Sequence, residues 1–167
     1  MTVAMQQLVW AVQRLADAFH DAVHTTRDAD AALALTTDEV VLENGPGLPG
    51  ARSADELRRL LAEDVLPHLP ADLTFARVSR TADVRRLVDE RVVSFTHDRE
   101  LPWLLPGAAP TGRRAEVLAI SVVAFRHRTR QSVTESLIAS HRTLWDRATL
   151  LDQLRPDPAA ASRLAPR

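Results

Sequence analysis

Residues 115–127 read Ala-Glu-Val-Leu-Ala-Ile-Ser-Val-Val-Ala-Phe-Arg-His, and this stretch decides the fold. Its apolar residues alternate as a strand requires. Val117, Ala119, Val123 and Phe125 fall on one face, and Leu118, Ile120, Val122 and Ala124 on the other. Both faces are apolar, so both need cover. Helices can take one face. The other lines a cavity or meets a second subunit.

Three more segments read as strands: 72–80, 85–97 and 131–146. A proline-rich loop, LPWLLPGAAPTGRR, divides the second strand from the central one. Upstream the period is helical. Leu8, Val12, Leu15, Phe19 and Val23 make one stripe over residues 5–24. Residues 28–36 predict a short second helix with an aspartate cap. Val40–Asn44 predicts a short strand running into the turn-forming GPGLPG. Ser53-Ala54-Asp55-Glu56 is a capping box for a helix that Pro67 and Pro70 stop. A short helix, ATLLDQL, follows the last strand, and the tail 156–167 has little to bury and reads as disordered. Helices followed by a run of strands predict α+β with an antiparallel sheet, in one domain over residues 1–155.

Composition narrows the function. The chain has 167 residues, 46% hydrophobic and 26% charged, with a formal net charge of −1. A near-neutral chain lacks the concentrated basic face of a nucleic-acid binder. No apolar run reaches the roughly 20 residues a membrane span needs, and the N-terminus lacks a signal-peptide pattern, so a cytoplasmic protein is expected. Zero cysteines exclude disulfides, thiolate zinc and a cysteine nucleophile. All 21 basic residues are arginine, which excludes a lysine Schiff base. The six histidines show no metal-ligand spacing, and no phosphate-binding glycine loop is present. No metal and no cofactor is therefore expected.

Several segments in order resemble the nuclear transport factor 2-like superfamily, in its SnoaL-like branch. They are DEVVLEN (38–44), the capped helix 53–70, VDE (88–90), FTHD (95–98), LPWLLPGAAPTGR (101–113) and LWDRATLLDQL (144–154). The resemblance implies a cone-shaped α+β barrel, a curved antiparallel sheet wrapped by N-terminal helices around an apolar pocket. It also implies a homodimer formed through sheet faces. Members include polyketide cyclases, ketosteroid isomerase-like enzymes and limonene epoxide hydrolase-like enzymes. Fold alone does not choose among these reactions.

By that resemblance, Asp146 matches the acid–base aspartate of polyketide cyclases and His97 its pocket partner. A carboxylate in an apolar pocket is raised toward neutrality and can take and return a proton. Asp146 equally suits the N-cap of the last helix, and His97 suits a bond to a loop carbonyl. Strand parity sets Asp89, Arg91, Val93, Phe95 and His97 on one face. Asp89 and Arg91 with Asp146 resemble the Asp-Arg-Asp set of epoxide hydrolase-like enzymes, in altered order; an ion pair on a dimer face is the alternative. Asn44 either orients a ligand or makes the turn into Gly45. Phe95, Trp103 and Trp145 are candidate lining residues, and core packing is the alternative for the tryptophans.

Relatives of this pattern read Glu-His-Ile-Tyr-Trp-Asp in the last strand, where this chain has His141-Arg142-Thr143-Leu144-Trp145-Asp146. Parity counted from Asp146 turns Arg142 inward and His141 outward, making Arg142 a candidate for binding a carboxylate or enolate. The absence of tyrosine disfavours steroid-isomerase chemistry through a tyrosine oxyanion donor. The leading expectation is a cofactor-independent cyclase or isomerase for a hydrophobic, polyketide-like molecule of specialised metabolism. The alternatives are an epoxide or lactone hydrolase of the same fold, or a non-catalytic small-molecule-binding or dimerisation module.

Overall fold

The computed structural model describes residues 2–131 and 133–155, so the predicted disordered tail lies outside the described residues. Helix α1 (Val3–His24) is capped by Thr2, whose hydroxyl accepts from the Met5 amide at 3.3 Å. It buries Val12, Ala16, Phe19, Ala22 and Val23. Helix α2 (Ala29–Leu33) is capped by Asp28. Strand β1 (Thr36–Glu43) follows directly and is longer than the sequence predicts. Helix α3 (Ala54–Arg59) starts at the predicted box: Ser53 accepts from the Glu56 amide. The Glu56 carboxylate reaches one residue further back than expected, to the Arg52 amide.

The helix then widens into a π-helical stretch, Leu60–Val65, before the Leu66–His68 turn. The π register brings Leu60, Leu61 and Val65 to the interior together. Strands β2 (Thr74–Ala82), β3 (Arg86–Thr96), β4 (Arg114–Arg130) and β5 (Val133–Trp145) and helix α4 (Arg147–Leu154) complete the order.

One five-stranded sheet runs β1-β5-β4-β3-β2. Its last four strands pair antiparallel, as alternation predicts, but β1 lies parallel to β5. The expected all-antiparallel sheet is thus a mixed one, because the chain crosses from β1 to β5 through the whole of the fold. The sheet is open, with β1 and β2 at its edges. Helix α1 packs on β3 and β5, and the inner sheet face and the helices share one hydrophobic core.

Two bulges set side-chain direction. In β2 the register shifts between Arg77, opposite Arg91, and Ser79, opposite Glu90. The extra residue, Val78, lets Arg77 and Arg80 reach the same face. In β5 a shift between Ser140 and Ile138 turns both Ile138 and His141 inward. The outer sheet face keeps Val88, Leu118 and Leu144 exposed, with Val92, Ile120 and Val122 half-buried. No helix among the described residues is long and apolar enough to cross a membrane.

Candidate functional site

Inward-facing residues of β3, β4 and β5 pair across the strands in three rows, which form the floor of a cavity. The rows are Arg91–Ala119–Trp145, Asp89–Ser121–Thr143 and Leu87–Val123–His141. Helix α1 supplies one wall through Ala16, Phe19, His20, Val23 and His24, and the π-helical stretch supplies Leu60, Leu61 and Val65. Phe75, Trp103, Leu42 and Asn44 close the sides. The cavity measures about 90 Å³, on the scale of one small ring.

One side of it is a closed charge network. Asp89, 4% exposed, accepts two hydrogen bonds from Arg80, both at 2.6 Å, and one from Arg91 at 2.8 Å. Asp17 of α1 accepts from Arg77 at 2.6 Å and from Arg80 at 2.7 and 3.1 Å. Burial acts to raise the Asp89 carboxyl, but the Arg80 and Arg91 guanidiniums overcome it and hold it below the usual carboxylate range. Asp89 therefore stays ionised and is a poor base. Ser121 and Thr143 satisfy one another at 3.1 Å.

The other side is an aromatic cluster with open valences. The His20 and His24 rings lie 4.7 Å apart, each within 4.6 Å of the Phe75 ring, and His141 stacks at 5.5 Å on Phe19. His20 Nε2, His24 Nδ1 and His141 Nδ1 are buried without a hydrogen-bond partner, as are Nε1 of Trp103 and Trp145. Burial, then the Arg91 charge, pull His20 down to about 4. Burial, then His20 and Arg91, take His141 to about 4, and burial holds His24 well below the usual value. All three are neutral at neutral pH, each able to give one hydrogen bond and take another. His20 Nδ1 also lies 3.6 Å from the Asp21 carboxylate, too long for a hydrogen bond but close enough to favour Nδ1 as the protonated nitrogen. Among the described residues no three His, Asp or Glu converge as a metal-ligand set.

Of the residues singled out in the sequence, Asn44, Asp89, Arg91, Trp103 and Trp145 line this cavity. Asn44 also makes the turn, its amide donating to the Pro49 carbonyl at 3.4 Å while Gly45 takes φ +100°. Asp146 does not line the cavity. It is exposed and caps α4, accepting from the Thr149 amide at 3.2 Å, and that bond lowers its carboxyl instead of raising it. The strand ends at Trp145, and the capping turn takes Asp146 away from the floor.

His97 is fully buried but lies outside the cavity lining. Its carbonyl accepts from the Thr111 and Gly112 amides, its amide donates to Arg113, and its Nδ1 meets the Thr111 hydroxyl at 3.3 Å. It ties off the 97–113 loop, whose Leu101, Leu104 and Leu105 are buried. Phe95 is core and does not reach the cavity. Arg142 and Leu144 face the opposite side of the sheet, and His141 faces in. The parity expectation was inverted because it was counted from Asp146, which is not in the strand.

Sequence reasoning passed over His20 and His24 as scattered and turned His141 outward. One signal could have found two of them: His20 and His24 are one turn apart and flank the stripe position Val23.

No protein-family model and no curated protein matches the sequence. Solved structures do match. An inferred SnoaL-like polyketide cyclase of Jannaschia sp. superposes with a TM-score of 0.66 at 14% identity, over 95% of this chain and 98% of that one. IdmH, an inferred polyketide cyclase of Streptomyces antibioticus, gives 0.58 at 18%, over 85% and 96%. SalBIII, an epoxide hydrolase/cyclase-like enzyme of pyran ring formation in salinomycin, gives 0.57 at 15%, over 82% and 92%. Superposing over nearly the full length of such proteins, the chain has the nuclear transport factor 2-like fold.

Proposed function

We propose that the protein is a cofactor-independent acid–base enzyme that cyclises or isomerises a small hydrophobic polyketone in this cavity. The observation that carries the reading is the set of three half-buried histidines lining the cavity, each with a buried ring nitrogen that lacks a partner. A folded protein seldom leaves such groups unpaired unless a ligand or water completes them. His20 is the base: the Asp21 carboxylate beside Nδ1 leaves the unpartnered Nε2 as the basic nitrogen. His24 and His141 orient carbonyl oxygens as neutral donors.

For an intramolecular aldol closure, His20 Nε2 takes the proton from a carbon next to a ketone. The C–H electron pair moves to the carbonyl oxygen, giving an enolate. The enolate carbon attacks the second carbonyl, a C–C bond forms, and the new alkoxide takes the proton back from the imidazolium. His20 in the empty cavity is a weak base at about 4. An enolate forming beside it supplies the counter-charge that raises that value.

The hydrolase alternative loses support, because Asp146 does not line the cavity that Asp89 and Arg91 line. The outer sheet face, with Val88, Leu118 and Leu144 exposed, supports a homodimer through that face. Light scattering tests it: a dimer for the native chain and a monomer for Leu118→Glu are expected, and a native monomer refutes the pairing.

Acetonylacetone tests the chemistry, since its closure gives a hydroxy-methylcyclopentanone that loses water to a methylcyclopentenone. Conversion followed by NMR is expected with the native protein and with Asp146→Asn, and to fall at least about a hundredfold in His20→Gln. Equal rates in native and His20→Gln protein contradict the assignment. No closure above buffer favours a binding module.

A further inference from the structure

We propose that the cavity is built for an anion: its ligand is an apolar molecule carrying a delocalised anionic oxygen group, seated between Arg91 and Trp145. The inference rests on the cavity being the ligand site, as argued above, and adds the charge of what it takes.

Charge comes first. Arg80 and Arg91 have side chains only 9% and 11% exposed, against one buried carboxylate, Asp89. Asp17 on the rim is shared by Arg77, Arg80 and Arg91, so three guanidiniums meet two carboxylates. With the three histidines neutral, the network keeps one positive charge in excess. The field of Arg91 reaches His20, His24 and His141, all of which it pushes toward the neutral form.

The hydrogen-bond inventory agrees. Among the described residues only Nη2 of Arg91 bonds to protein, donating to Asp89. Trp103 and Trp145 offer indole N–H groups that can only donate, and neither has a partner. On the floor Ser121 and Thr143 pair with one another through one hydrogen bond. The N–H groups that Arg91 and the two indoles leave without partners call for a ligand that offers acceptors.

Shape locates it. Arg91 and Trp145 stand in one row with Ala119 between them. A methyl at the middle position leaves a gap on the floor, flanked by a guanidinium and an indole. The apolar body of the ligand then meets Phe19, Val23, Leu61 and Val65. Two sources share this chemistry: a carboxylate, and the enolate of a dicarbonyl compound.

Calorimetry at neutral pH with benzoate, its neutral isostere benzamide, and benzoylacetone tests the inference. Benzoate is expected to bind about tenfold or more tighter than benzamide. Arg91→Gln should remove that preference, reducing the ratio of benzoate to benzamide affinity to about one. Arg91→Lys should keep part of it, and thermal melts check the fold of both. Trp145→Phe, which leaves the Asp89 network untouched, should weaken benzoate about fivefold. A downward shift in the ionisation of bound benzoylacetone, read by enolate absorbance, identifies the enolate source. An unshifted ionisation with tight benzoate identifies the carboxylate.

Benzamide binding as tightly as benzoate, or a benzoate preference that survives Arg91→Gln, overturns the anion inference. If acetonylacetone is still closed in that case, the acid–base reading stands without it. If no probe binds and no closure occurs, both fall.

Discussion

On the β2–β3 side of the cavity every carboxylate and guanidinium has an ionic partner: Asp89 holds Arg80 and Arg91, and Asp17 holds Arg77 and Arg80. On the α1–β5 side three imidazoles and two indoles leave ring nitrogens without partners. The two groups border one cavity, but they differ in whether the protein itself completes their polar valences. A completed network holds structure, and removing a member leaves a buried charge alone. An incomplete set costs the folded state stability and is retained where a ligand completes it. By that contrast we assign the charged wall to scaffold and electrostatic field, and the histidine wall to the proposed chemistry.

The contrast is broken most severely at Asp89. Asp89→Asn leaves two buried guanidiniums facing a neutral amide, and the expected cost is about 3–5 kcal/mol of folding stability, read by urea unfolding. A loss under about 1 kcal/mol would mean the network is solvated and not the scaffold claimed here.

Acid titration separates the walls by pH. His20, His24 and His141 are neutral when folded, while the unfolded chain protonates them near the ordinary value of 6.5. The unfolded state then binds more protons, so stability falls as pH drops from about 6.5 toward 4, by up to roughly 1.4 kcal/mol per pH unit per histidine. Asp17 and Asp89 are lowered instead, so their contribution is present above the ordinary 3.8 and is lost only below it. Two separate declines in melting temperature are expected, and Asp89→Asn should remove part of the second alone.

Substitution on the histidine wall should have the opposite sign. His24→Leu removes an unpartnered buried nitrogen, so stability is expected to hold or rise by about 1 kcal/mol while ligand binding weakens. A marked loss of stability would show that His24 has a structural partner.

The smallest effect is expected at Asp146. Asp146→Ala loses the N-cap bond to Thr149 and lowers the melting temperature slightly, with diketone closure unchanged. A lost activity there would return Asp146 to the site.

Much of the architecture was legible in alternation and capping. The two-sided apolar strand at 115–125, the Ser53 box and the common face of Asp89, Arg91, Val93 and Phe95 all hold in the structure. The parallel pairing of β1 with β5 was not legible, since a strand's own pattern does not reveal its partner's direction. The site was read less well. Asp146 offered two uses of one carboxylate, and the helix cap took it. The bulges at Val78 and Ala139 decide which of Arg77, Arg80 and His141 face inward, and a bulge leaves no mark in a period-two pattern. The histidines come together only because α1 lies across β5, a contact between residues more than a hundred positions apart.

Long-range nitrogen–proton NMR of the histidine rings, titrated with acid in the free protein and again with benzoate, tests the central claim most directly. The account predicts His20 and His141 neutral at neutral pH and protonating only near pH 4, with their unpartnered nitrogens shifting when ligand is added. Protonation near the ordinary 6.5, with ring nitrogens indifferent to ligand, would contradict it.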